Sequence, residues 1–423
     1  MGSARKETMT RLKPVVRIDS LMEELETLAQ ISEADPPVVT RVVFTDADLR
    51  ARNHVKELCR EAGLTIREDA IGNTFIRWEG LESELAPVAT GSHIDAIPNA
   101  GAYDGVVGVL GGLEAIRSLQ RAGFQPRRPI ELIIFTSEEP TRFGIGCLGS
   151  RMMGGVLTAD HARALRDKHD DSLEILRTSA GFQGELESVL IAPGRFHAFV
   201  ELHIEQGAIL EREGVEIGAV THIAAPASLK VEIQGEGGHA GAMLMAARHD
   251  ALCAASELIL ALESAAKSTG SIDSVATVGI CEVFPGAVNS VPSKVHLATD
   301  IRDTDGARRD AVIAGMKSAA EEISVRRSVQ IEFQTVNADP PAACDPEIVD
   351  AIQKAAAAAG LSSRRMVSRA YHDSLFVARF APVAMIFIPC RGGVSHRPDE
   401  YASPEWIAGG VEVLARTLAE LAV

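Results

Sequence analysis

Apolar residues along the chain follow two rhythms. A 3.6-residue spacing predicts a helix from Ile18 to Ile31, and short unbroken apolar runs then alternate with helical stretches: Val88-Ala89-Thr90, a glycine-rich helical pattern from Gly105 to Leu119, Leu132-Ile133-Ile134-Phe135, and a run through Val200. This alternation predicts an α/β fold whose large domain is built on a mostly parallel sheet. Ligand sites in such sheets lie beyond the carboxyl ends of the strands, so the polar segments after Thr90, Phe135 and Val200 are where chemistry is expected.

From Ala227 to Val336 the order changes to strand, helix, strand, strand, helix, strand: Leu229 to Gln234, Ala246 to Ala265, Val275 to Val283, Lys294 to Ile301, Ala307 to Ile323 and Val329 to Thr335. That is the split βαβ order of a ferredoxin-like α+β domain. The first rhythm returns with a helix at Ile348 to Ala358 and a buried-type strand at Val383 to Ile388. The predicted organisation is a large domain in two parts, 1–225 and 338–423, with 226–337 inserted and hinges near 224–227 and 335–340; the large domain is the candidate for any catalytic role, since the polar strand ends lie in it. Residues 151–195, rich in Asp, Arg, Leu and Glu, read as helices and loops on the large domain.

The chain has 423 residues, 46% of them hydrophobic, which fills ordinary globular cores. Against 42 Lys and Arg stand 58 Asp and Glu, a net charge of −16 that speaks against nucleic acid as a partner. The first thirty residues carry charge throughout (Arg5, Lys6, Glu7, Arg11, Lys13, Arg17), and Lys6 stands where a myristoylation signal places Ser or Thr. No apolar run reaches about 18 residues, so the expectation is a cytoplasmic protein with no membrane partner. Six scattered cysteines without a C-x-x-C pair suggest neither a disulfide scaffold nor a thiolate zinc site. Any metal must then use histidines and carboxylates.

Seven of the twelve histidines (54, 161, 169, 197, 222, 249 and 296) lie in helical or alternating patterns and read as solvated or singly hydrogen-bonded. The others stand in marked places. His93, in Gly-Ser-His-Ile-Asp, follows a predicted strand with Asp95 two residues on, a spacing in which a carboxylate can orient a ligating ring. Asp104 precedes a long apolar helix, where a plain N-cap is the simpler account of it alone. Glu138-Glu139 follow a buried-type strand, where two carboxylates can divide metal binding and proton transfer. His203 closes another apolar run, and His396 follows the last. Nitrogen and oxygen donors without thiolate suit Zn²⁺, Mn²⁺ or Co²⁺, and a shared carboxylate would hold two ions about 3.5–4 Å apart for hydrolysis.

The motifs GSHIDAIPNAGAYDGVVGVLGG, FTSEEPTRFGIGCLGSR, ELHIEQGAILE, IAAPASLKVE, GGHAGAMLM, AYHDSLF and IFIPCRGGVSHRPDEY resemble the dinuclear-metal amidohydrolases of the aminoacylase and carboxypeptidase clan. Within it they are most similar to the branch of allantoate amidohydrolases and N-carbamoyl-L-amino-acid hydrolases, and the Glu-Glu-Pro-Thr-Arg-Phe wording to its ureidoglycolate-cleaving members. The resemblance implies that His93 and His203 bind one metal, Glu139 and His396 another, and Asp104 bridges them. It implies Asp95 as the group orienting His93 and Glu138 as the general base. It further implies that His239 crosses a homodimer interface formed by the inserted domain to stabilise the oxyanion, and that Gln206, Asn289, Arg302, Tyr371 and His372 contact substrate. For His239 alone a turn among glycines is the simpler account, and for Arg302 a surface ion pair with Asp300 or Asp303.

On this resemblance the expected activity is hydrolysis of (S)-ureidoglycolate, a small ureido acid of purine and allantoin breakdown, to glyoxylate, ammonia and carbon dioxide. Two divalent ions per subunit are expected, Mn²⁺ first, with Zn²⁺ or Co²⁺ as alternatives. Allantoate or an N-carbamoyl-L-amino acid is the alternative substrate; a peptidase or deacylase and a non-catalytic metal-stabilised scaffold are rivals of other kinds. Ser374 beside His372 and Asp373 lacks a G-x-S-x-G elbow and reads as a helix cap, and the glycines from 105 to 112 lack a Walker lysine.

Overall fold

Ile130–Phe135 and Val383–Ile388 are buried at all six positions, as apolar runs sandwiched between helices must be. In the computed structural model, which describes residues 13–423, they belong to a nine-stranded mixed sheet. The residues at positions 1–11 cited above for charge and acylation lie outside the described residues. Four neighbouring strands at the centre, Val383–Ile388, Ala198–Ile204, Val88–His93 and Ile130–Phe135, run parallel. Ile217–Ile223 flanks them antiparallel on one side, and Thr74–Trp78 then Thr65–Glu68 on the other. The predicted parallel sheet is thus its centre, with antiparallel margins.

Helix Val106–Arg121 packs on this sheet with nearly every residue of its first three turns buried. Its glycines let it approach closely: a Cβ at Gly108 would meet the main-chain oxygen of Leu202 and the Cβ of Ser92, at 2.7 Å from the latter. Short helices Leu148–Met153, Ala159–Ala164 and Leu173–Ser179 occupy the 151–195 region, as its composition predicts.

The chain divides into two compact units, one of the described residues up to Thr221 with Ala343–Met366 and His372–Val423, the other of His222–Ala342 and Val367–Tyr371. The second unit holds a four-stranded antiparallel sheet in the order Val275–Phe284, Lys294–Asp303, Ala225–Gln234, Gln330–Ala338. With helices Ala251–Ser268 and Gly306–Arg327 this is the ferredoxin-like order. Burial alternates strictly along Lys294–Asp303, and Val295, Leu297 and Ile301 join Leu229, Val231 and Ile233 against Leu258, Leu262, Val312 and Met316 of the helices. The first of these helices starts five residues later than its apolar pattern suggests, because the Asp250 side chain accepts the N–H groups of Leu252 and Cys253 and caps it there. Among the described residues no helix is long and apolar enough to cross a membrane.

Candidate dinuclear metal centre

The four central parallel strands each deliver chemistry at their carboxyl ends. The register pairs Phe387 with His203 and His93 with Phe135, so His93, His203, the Glu138-Glu139 pair and the segment leading to His396 share one sheet edge. The turns there are strained: Ser137, Cys147, Gln206 and His396 account for four of the eight non-glycine residues with positive φ among those described. Such conformations persist where the surroundings over-determine them, commonly at functional sites.

Asp104 is the centre of the arrangement. Its Oδ1 lies 3.2 Å from His203 Nε2 and 3.6 Å from His93 Nε2, and its Oδ2 lies 3.3 Å from His396 Nε2. His396 Nε2 in turn lies 3.2 Å from Glu139 Oε1. The donors thus form two groups, His93–Asp104–His203 and Asp104–Glu139–His396, with Asp104 in both. The capping account of Asp104 fails, because Gly105 is the N-cap of the helix and no side chain caps it. Burial raises the Asp104 carboxyl, but hydrogen bonds to three imidazoles outweigh it and hold it well below the usual carboxylate range. Those to Asp104 and Glu139 hold the His396 imidazole up to about 11. A site that so favours positive charge on its nitrogens suits cations, and imidazole with carboxylate is the donor set of Mn²⁺, Zn²⁺ and Co²⁺.

Asp95 acts on His93 differently from the expectation. The His93 Nδ1 lies 3.0 Å from the Asp95 main-chain oxygen and 3.7 Å from its carboxylate. The carboxylate instead accepts the main-chain N–H groups of Glu138 and Glu139, each at 3.1 Å, so it fixes the glutamate pair. These glutamates are buried and lie outside any helix, not on a solvated helix start. Burial, with Glu139, Asp373 and Asp104 nearby, outweighs the pull of His93 and pushes the Glu138 carboxyl well above its ordinary value. The Cys147 thiol donates to Glu138 Oε1 at 3.3 Å, while the Cys147 N–H donates to the Glu138 carbonyl at 2.7 Å.

Of the six residues expected at the substrate or its oxyanion, two sit in this unit. Gln206 donates to Asp104 Oδ2 at 2.6 Å, while its Oε1 is buried without a hydrogen bond in the structure. His372 is buried, its ring edge-on to His203 at 4.6 Å, and burial holds it well below its ordinary value. The other four belong to the second unit. His239 lies in a two-residue strand paired with Ser290–Val291, beside Asn289, whose carbonyl accepts the Ala240 N–H. Arg302 grips Asp300 with two nitrogens and donates to the Arg369 carbonyl at 3.0 Å, so the local ion pair is what it makes here. The Tyr371 hydroxyl donates to Asp339.

Sequence reasoning passed over Glu201, Asp373, Ser395 and Glu400. Glu201 accepts from Ser92 Oγ at 2.9 Å and from Ser374 Oγ at 2.5 Å, so Ser374 serves a buried carboxylate instead of capping a helix. Asp373 accepts from Ser150 Oγ, also at 2.5 Å. The only signal was nearness to motif residues: Asp373 follows His372, and Glu400 stands four places after His396.

A profile of peptidase family M20/M25/M40 matches residues 89–420. The chain belongs to this family. Ureidoglycolate hydrolase of Oryza sativa subsp. japonica is 54% identical over 412 residues, covering 96% of this chain and 85% of that protein. N-carbamoyl-L-amino acid amidohydrolase of Geobacillus stearothermophilus is 36% identical over 409 residues, covering 96% and 99%. Crystal structures of AtUAH in complex with glyoxylate and with (S)-hydroxyglycine match with TM-scores of 0.86 at 53% and 52% identity, covering 98% of this chain and 99% of theirs. As a member of the M20 family, the chain is a hydrolase of amide carbon–nitrogen bonds with candidate metal-binding groups in place.

Proposed function

We propose that this enzyme hydrolyses (S)-ureidoglycolate to glyoxylate, ammonia and carbon dioxide, using two divalent ions, Mn²⁺ by preference. The observation that carries the metal reading is Asp104, whose two oxygens face separate histidine-containing donor groups. The substrate is supported by 54% identity to an enzyme named for it, against 36% for the carbamoyl-amino-acid hydrolase. His93, His203 and Asp104 would hold one ion and Asp104, Glu139 and His396 the other. Bound ions would supply Lewis acidity, polarising the ureido carbonyl and acidifying the attacking water.

Glu138 takes a proton from the attacking water and returns it to the departing nitrogen. Its raised carboxyl, held by the Cys147 thiol and by Asp95 through the main chain, suits a group that must carry that proton. Ammonia leaves, the carbamate loses carbon dioxide, and hydroxyglycine breaks down to glyoxylate and a second ammonia. His239 stabilises the oxyanion across a homodimer formed by the 226–337 domain, which also acts as a lid. Gln206, Asn289, Arg302, Tyr371 and His372 bind substrate, and Arg302 would exchange its Asp300 partner for the substrate carboxylate. Six free cysteines accord with a reducing cytoplasm.

The test is release of ammonia and glyoxylate from freshly prepared (S)-ureidoglycolate by the Mn²⁺-loaded enzyme, run beside allantoate, N-carbamoyl amino acids and a chelated control. Chelator-sensitive turnover of ureidoglycolate above the others is expected. Preference for another ureido acid would move the substrate, and silence on all would refute the activity.

A further inference from the structure

We propose that Glu400, acting through Ser395, is the positioning residue that sets the shared carboxylate of Asp104 between the two donor groups. The proposal rests on the dinuclear reading above. Glu400 is only 4% exposed, and its Oε1 accepts the main-chain N–H groups of Tyr103 at 2.8 Å and Asp104 at 3.0 Å. Its Oε2 lies 2.9 Å from Ser395 Oγ, which lies 2.5 Å from Asp104 Oδ2. One carboxylate therefore meets Asp104 at both ends: it accepts the main-chain N–H directly, and it shares the single Ser395 hydroxyl hydrogen with the Asp104 side chain. The same loop carries His396, so Glu400 ties the turn bearing the shared ligand to the turn bearing a ligand of one group only.

The fit around Glu400 is tight. A Cβ at Gly101 would stand 2.7 Å from the Glu400 Cδ, so the chain closes around this carboxylate. Gln206 adds a second bond to Asp104 Oδ2, at 2.6 Å. The Ser395 and Gln206 bonds converge on Oδ2, the oxygen turned toward His396, whereas Oδ1 meets only imidazoles. Glu400 thus governs chiefly the ion of the Asp104–Glu139–His396 group.

The test is Mn²⁺ binding by calorimetry, with the electron paramagnetic resonance signal of a coupled Mn²⁺ pair as a second readout, on full-length wild type, E400A, E400Q and S395A. Glutamine keeps an acceptor for both N–H groups and a partner for Ser395, so E400Q is expected to retain two ions per subunit and the coupled signal. E400A and S395A should lose about 10–100-fold in affinity for one ion, the usual scale for groups that orient a ligand, and with it the coupled signal. Unfolding midpoints of the metal-free proteins show whether each variant folds, and S395A keeps the question open to test should E400A not fold. A coupled pair in E400A and S395A as tight as in wild type overturns the proposal alone, as does E400Q failing like E400A. Wild-type protein that takes up no pair of ions overturns the dinuclear reading and this proposal with it.

Discussion

Gly105 offers a sharp test of how rigidly His93 is held. It sits at φ 68°, ψ −45°, immediately before helix Val106–Arg121. Alanine there would pay for a backbone conformation that L-residues avoid, about 1–3 kcal/mol. Its Cβ would also stand 2.5 Å from Cδ2 and Cε1 of the His93 ring and closer still to Nε2. To regain van der Waals contact the ring must retreat by about 1 Å. It has little room, being 2% exposed and bonded at Nδ1 to the Asp95 carbonyl. The helix cannot yield instead without unpacking its buried turns. G105A should therefore weaken Mn²⁺ binding at the His93–Asp104–His203 group and cut turnover about 100-fold, the scale of a 1 Å misplacement. The control is G123A, at φ 71° with nothing within 4 Å of the added Cβ, which should bear backbone strain alone and turn over normally. Calorimetric Mn²⁺ titration, ammonia release and unfolding midpoints measure the three effects. If G105A binds Mn²⁺ and turns over like G123A, the ring is not fixed as argued.

E138Q should keep its Mn²⁺ and lose about 10²–10⁴-fold in turnover, the usual weight of a general base, and full activity would remove Glu138 from that role. D95N should impair both glutamates together, because an amide offers one acceptor where the carboxylate receives two N–H groups; Mn²⁺ affinity and turnover should fall in parallel, and unchanged values for both would refute it. In the second unit Arg326 and Arg327 hold the Glu257 carboxyl down from 4.5 to about 2. Such a group adds stability above its unfolded pKa that is lost as pH falls through the folded one. E257Q should thus melt below wild type at neutral pH by about 1 kcal/mol or less, given the partial exposure of the network, and the gap should close on acidification from pH 4.5 toward 2. A gap independent of pH would refute the assignment.

The candidate donor positions were legible in sequence because fully buried parallel strands write themselves as apolar runs, and polar residues at their carboxyl ends then stand out. His93 and Glu138-Glu139 are of this kind. Thr65–Glu68 left no such mark, being a four-residue marginal strand whose residues are mostly exposed. Helix Pro404–Leu421 did carry a start signal, Ser403 accepting from Trp406 N with Pro404 in the first turn, and the pattern reading passed it by. Glu400 was hidden for another reason. In His-Arg-Pro-Asp-Glu-Tyr it looks like part of a solvated loop, and its partner N–H at Asp104 is 296 residues away. Which carboxylates of a polar segment turn inward depends on such long-range closure, which no local period encodes.

Two kinds of buried acid stand out among the described residues, and the difference bears on why the site exists. Away from the site guanidinium groups match several of them: Asp48 has Arg52, Glu131 has Arg77 and Arg195, Glu114 has Arg121 and Asp303 has Arg308. A buried charge so matched is settled within the fold. Asp95, Asp104, Glu138, Glu139, Glu201, Asp373 and Glu400 are buried too, yet the bonds described for them come from imidazoles, main-chain N–H groups, hydroxyls and one thiol. None of those donors is a guanidinium, and the imidazoles supply positive charge only when protonated. Burying carboxylates on such terms is costly unless cations arrive from outside. The same residues that make the cluster unfavourable as packing therefore suit it to cations, and Asp95 on the glutamate pair and Glu400 on Asp104 hold its candidate donors in place.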